Sequence, residues 1–181
     1  MKIHALITAV GSDRIGIVDD IASAVLERDC NIEESRMALL GGEFAALLLV
    51  SGEKAAIGRL LDETPALGAR LGLVANARHT ADPVPVVDSL PYLLESSSLD
   101  NPGIVHSVAA VLRRHSVNIA DLETDTMPAP WTGAPMFTLR ARLSIPKTVS
   151  ISALRREFDT LETLQNLDLK LTPAVRMGGE S

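Results

Sequence analysis

Residues 13–32 read DRIGIVDDIASAVLERDCNI, and residues 100–119 read DNPGIVHSVAAVLRRHSVNI. Asp13, Gly16, Ile17, Val18, Ala22, Asn31 and Ile32 each recur 87 residues later without a gap. Val18, Ile21, Ala22 and Val25 are matched at the same shift by Val105, Val108, Ala109 and Leu112. That i, i+3, i+4, i+7 spacing is the core face of an amphipathic helix, so each copy predicts a helix entered through an acid-to-Gly turn. A period near 87 is too long for a solenoid unit and suits a small complete domain, which points to a duplication.

Around each copy the same order of elements can be read. In the first half a strand over 2–10 precedes the turn at 11–15, a helix at 16–29 and a strand at 31–40. Gly41-Gly42 makes a tight hairpin into the apolar run EFAALLLV at 43–50, followed by a helix at 53–63 and a strand at 71–79. ADPVPVVD at 81–88 carries two prolines and reads as a linker. The second half predicts strands near 90–97 and 118–127, a long loop MPAPWTGAP, a strand FTLRARL at 137–143, a helix near 150–164 and a strand near 167–175. Two βαββαβ units imply an α+β protein of two tandem ferredoxin-like domains, each an antiparallel sheet with its helices on one face: domain one 1–82, linker 83–88, domain two 89–181. FTLRARL alternates apolar and polar residues, so that strand has one wet face. Phe44 to Val50 is apolar throughout, as though the helix-free face of the first sheet were also covered, by the other half or a second chain. The alternative is that Ala45 and Leu47 are simply exposed.

Composition narrows the function. The 181 residues carry a net charge of −6, with no clustered Lys and Arg, which argues against direct nucleic-acid binding. The single cysteine, Cys30, excludes an internal disulfide, and its counterpart Val117 marks it as a small buried apolar residue. His4, His79, His106 and His115 lack metal-ligand spacing. The opening residues read as a strand rather than a leader, no apolar stretch is long enough to span a bilayer, and the expected compartment is the cytoplasm. Nucleophile-elbow, phosphate-loop, HExxH and dinucleotide motifs are absent from the sequence, which reads as non-enzymatic with neither cofactor nor metal.

The two turns and the paired Asn-Ile steps resemble tandem ACT domains, the small modules that bind amino acids in metabolic proteins. Their arrangement, with the APWTGAPMFTLR stretch at 129–140, is similar to the glycine cleavage system transcriptional repressor family. Ile15 stands where that family usually has Pro, and Asn101 where it usually has Arg, so the resemblance does not imply two equal sites. It implies ligand-binding residues Asp13, Arg14, Gly16, Ile17 and Asn31 in the first copy, and Asp100, Asn101, Gly103, Ile104 and Asn118 in the second. A helix start offers N–H donors and partial positive charge to a carboxylate, glycine lets a ligand approach the backbone, and an aspartate suits the ammonium of a zwitterion. The same residue types also fit a simpler role. Asp13 and Asp100 (or Asn101) make good helix caps, Pro102 suits a first helical turn, and Asn31 and Asn118 suit a left-handed helix exit. Trp131 fits either a partner anchor or a residue folded onto its own domain. The implied partners are a small amino acid such as glycine, a regulatory protein and a second copy in a homodimer. The implied activity is control of a transcription regulator by protein contact; the alternative is a regulatory subunit conferring feedback on an amino-acid enzyme.

Overall fold

The computed structural model describes residues 2–81, 88–130 and 132–174. The chain divides into two compact units, Met1–Val84 and Pro85–Ser181. In the first, β1 (Lys2–Ser12), α1 (Ile17–Leu26), β2 (Cys30–Leu40), β3 (Glu43–Glu53), α2 (Lys54–Leu71) and β4 (Leu73–Thr80) follow in order. The second repeats it with β5 (Ser89–Leu99), α3 (Ile104–Arg114), β6 (Asn118–Pro128), β7 (Pro135–Pro146), α4 (Ile151–Gln165) and β8 (Asp168–Pro173). Each sheet is antiparallel, in the orders β2-β3-β1-β4 and β6-β7-β5-β8. The fold class read from the sequence is the one observed. Trp131, residues 82–87 of the linker and the far end of the last expected strand lie outside the described residues.

Each unit has its own core. Ala5, Ile7, Ala9, Leu48 and Val50 from alternate positions of two strands meet Ile17, Ile21, Val25, Ile57 and Leu60 from the helices. In the second unit Leu94, Leu139, Ala141 and Leu143 meet Ile104, Val108, Leu112, Leu154 and Phe158. The period of two along the strands and the helical period along α1 to α4 are the two ways a chain presents one apolar face. Opposite that face, Thr138, Arg140 and Arg142 of β7 lie outside the core, as their alternation predicts. On the first sheet, Leu47 is 49% exposed and Ala45 and Leu49 are half-buried.

Two features differ from the sequence reading. The buried stripe of α1 is Ile17, Ile21 and Val25, while Val18 is 47% exposed, so the helix is rotated relative to the expected stripe and α3 repeats the rotation at Val105. The spacing predicts a second helix ending at 63, and α2 instead runs to Leu71, through Pro65. Proline removes one helical hydrogen bond, but tertiary packing holds the turn on either side. The Thr64 hydroxyl donates to the Leu60 carbonyl at 2.6 Å, Leu67 is buried, and a Cβ at Gly68 would stand 2.6 Å from that of Ala75. Glycine at 68 is what lets the helix approach β4 so closely. In the second unit the hydroxyls of Ser96 and Ser98, buried on the helix side of β5, have no hydrogen-bond partner among the described residues.

Candidate ligand site at the strand-to-helix turn

The turn between β1 and α1 is shaped by Gly16, whose φ of 87° lies in the left-handed region. Gly103 repeats it at 94° before α3. A side chain is strained there, so glycine is required by the backbone whether or not a ligand approaches. These glycines are themselves the N-cap residues, and neither helix has a side-chain cap. The capping expected of Asp13 and Asp100 is therefore wrong, because the chain needs three further residues to reach the helix. Pro102 precedes the cap and is outside the first helical turn. Asp13 and Asp100 are exposed, and among the described residues their carboxylates have no hydrogen-bond or ion-pair partner.

The first i to i−4 bond of α1 runs from the Asp20 N–H to the Gly16 carbonyl at 3.0 Å, and the Ile17 N–H reaches the Arg14 carbonyl at 3.4 Å. The N–H groups of Val18 and Asp19 thus stand ahead of the helical ladder, at the positive end of the helix. Beside them opens a groove of about 750 Å³ whose lining includes Asp13, Arg14, Gly16, Ile17, Val18, Met37, Leu39 and Phe44. Its walls are mostly apolar. The Arg14 guanidinium crosses to Asp20 at 2.5 Å. The second turn is wired differently: Asn101 donates to the Leu99 carbonyl at 3.5 Å, and Ser107, the counterpart of Asp20, accepts from Gln165 on α4 at 2.7 Å.

Asp13, Arg14, Gly16 and Ile17 come together, and Asn31 does not join them. Asn31 is level with Ser51 and, through it, with His4, whereas the turn follows Ser12 at the other end of β1. Eight residues of strand separate the two, roughly 26 Å. Asn118, level with Ser144 and Pro91, is displaced in the same way from Asp100, Asn101, Gly103 and Ile104. Nor do the asparagines make the left-handed exit, which falls on Asp29 (φ 57°) and Ser116 (φ 55°). The sequence signal missed at this point is Glu33. Its Oε1 accepts from the Asn31 amide at 3.2 Å and from the Ser51 hydroxyl at 2.5 Å. This pins the Asn31 side chain and leaves its Oδ1 as an acceptor. Alternating strand positions would not reveal Glu33, because a bulge between Ile32 and Glu34 sets it out of register.

The Ser51 hydroxyl first, and the Asn31 amide second, hold the Glu33 carboxyl below its ordinary range. A carboxylate lowered in the folded state contributes stability above its unfolded value, near pH 4.3, and loses it as the pH falls through the lower folded value. We expect Glu33→Gln to flatten the acid limb: between pH 7 and pH 3 the variant's urea midpoint should fall less than that of the wild type. Equal falls would show that the bonds to Glu33 do not contribute. Cys30 is 5% exposed, and burial pushes its thiol pKa up, as a packing role requires. Among the described residues no His, Cys, Asp and Glu cluster has the makings of a metal site, and no helix is long and apolar enough to cross a membrane.

Comparison with known proteins gives these features a context. A model of the ACT domain family matches residues 4–77. The chain is 33% identical to the glycine cleavage system transcriptional repressor of Escherichia coli strain K12, over 90% of this chain and 86% of that one. A crystal structure of an unknown protein from Galdieria sulphuraria superposes with a TM-score of 0.80 at 32% identity, covering 97% of this chain and 100% of the other. A crystal structure of a protein assigned as a glycine cleavage system transcriptional repressor gives 0.69 at 26% identity, over 95% and 97%.

Proposed function

Because this chain belongs to the glycine cleavage system transcriptional repressor family, we propose that it is a non-enzymatic regulator that senses a small amino acid, glycine first, and passes its state to a DNA-binding protein by contact in the cytoplasm. Its modules are 1–82 and 89–181. The ligand's carboxylate rests on the N–H groups at the start of α1 and its ammonium on Asp13, with Arg14 at the rim. The observation that carries this reading is the groove at the first turn, lined both by Asp13, whose carboxylate has no partner among the described residues, and by Gly16 and Ile17 at the start of a helix.

A second copy meets the first along β2. β2 is an edge strand, and an antiparallel pair of β2 strands centred on Ser35 sets Glu34 of one copy opposite Arg36 of the other, a favourable cross-strand pair. The partner's strand then runs past Leu39, which lines the groove, while the bulge at Glu33 sets Asn31 on the helix-free face with Ser51, away from the groove. A homodimer built in this way walls the groove at each first turn with the partner's β2. The second turn, with Asn101 in place of the arginine, is the weaker site.

Affinity capture with the full chain, with and without glycine, tests the reading. The expected result is a glycine-dependent complex with a DNA-binding regulator, while the purified chain alone leaves a promoter fragment unshifted even at low salt. A salt-sensitive shift by the chain alone would overturn contact as the mechanism. Recovery of a catalytic chain in place of the regulator would establish instead the subunit of a feedback-controlled enzyme.

A further inference from the structure

One edge of the second sheet is β6, the other β8. Its residues from Leu122 to Pro128 are all exposed, and its outward backbone groups face no described strand. Register places Asp121 opposite Arg142, Glu123 opposite Arg140 and Asp125 opposite Thr138, so the three acids form one line on the helix-free face. Arg142 takes Asp121 at 2.7 Å. Arg140, although level with Glu123, turns inward to Glu95 on β5 at 3.2 Å. Among the described residues this leaves the Glu123 and Asp125 carboxylates without a cation, two positions apart on an open ladder.

An edge strand is a template for another strand, and charge decides which strand it accepts. A second copy of β6 running antiparallel would bring acids against acids on that face, which is destabilising. β2 differs, since its Glu34 and Arg36 pair at 3.0 Å and complement their own copies. The β6 edge therefore repels its own kind and admits a strand of opposite charge, a division that gives specificity by repulsion as well as attraction. We propose that β6 is the docking edge for the partner protein: an extended segment with Lys or Arg at two alternate positions adds as a fifth strand, its backbone on the β6 ladder and its cations on Glu123 and Asp125. This rests on the reading that the chain acts by protein contact and adds where that contact is made.

The test uses the full chain and two end-blocked ten-residue peptides of equal composition, one alternating Thr and Lys, the other five Lys followed by five Thr. The alternating peptide should slow hydrogen exchange of β6 amides between 120 and 127 and should bind more tightly than the block peptide. Glu123→Gln with Asp125→Asn, two exposed substitutions checked by far-UV circular dichroism, should weaken it by roughly two- to thirty-fold. Unchanged β6 exchange, equal affinity for the two peptides, or equal affinity in the double variant would each overturn the proposal. Glycine titrated into the same samples separates the two readings: glycine binding without peptide docking ends this inference alone, and docking without glycine binding ends the sensor reading alone.

Discussion

Asp13→Asn is expected to weaken glycine binding about 10- to 150-fold while leaving the melting temperature where it was. The size follows from losing a charge-assisted hydrogen bond to an ammonium group, worth about 1.5–3 kcal/mol. The silence in stability follows from the fold, since the cap of α1 is Gly16 and the Asp13 carboxylate has no hydrogen-bond or ion-pair partner among the described residues. Asparagine keeps the shape and removes only the charge. Calorimetry with glycine, paired with a thermal melt, reads both halves of the expectation. Asp100→Asn serves as the comparison and should have the smaller effect, because the second turn lacks the arginine. Unchanged affinity in Asp13→Asn, Asp100→Asn and the double variant would remove both aspartates from the site.

Phe158→Ala should cost about 3–5 kcal/mol in the second unit, a large part of the 5–15 kcal/mol that keeps a typical domain folded. The ring is 3% exposed within a cluster of Leu154, Leu161, Leu139 and Leu143, and alanine leaves a cavity there. No residue of that cluster belongs to the first unit's core. The variant should therefore melt in two steps, with the C-terminal half lost first, and glycine should still shift the upper step. Phe158→Leu, which keeps most of the volume, should cost under about 1.5 kcal/mol and preserve a single transition closer to the wild type. One shared transition in Phe158→Ala, with glycine binding lost together with it, would show that the two cores do not stand separately.

The acid dependence at Glu33 and the peptide test at β6 probe smaller effects. Both depend on where strands lie beside one another. Glu33 matters because a bulge turns it toward Asn31 and Ser51, and β6 matters because it is the last strand of its sheet.

The order of residues alone encodes what short-range physics controls. The glycines that a left-handed turn demands, the alternation of FTLRARL and the helical spacing of each copy all act within a few residues, and the 87-residue repeat writes the turn and helix twice. Two βαββαβ units and two equivalent turns are therefore legible in the order of residues alone. Tertiary structure decided the rest. Whether α1 buries Ile17 or Val18 depends on the angle at which it meets the sheet, and Pro65 stays helical because the packing around Leu67 and Gly68 outweighs one lost hydrogen bond. Asp13 and Asn31 look like neighbours in one motif, yet strand direction sets them at opposite ends of the sheet. Only register could show that Arg140 turns to Glu95 and leaves Glu123 and Asp125 at an open edge, because pairing between strands is fixed by contacts among residues far apart in the chain.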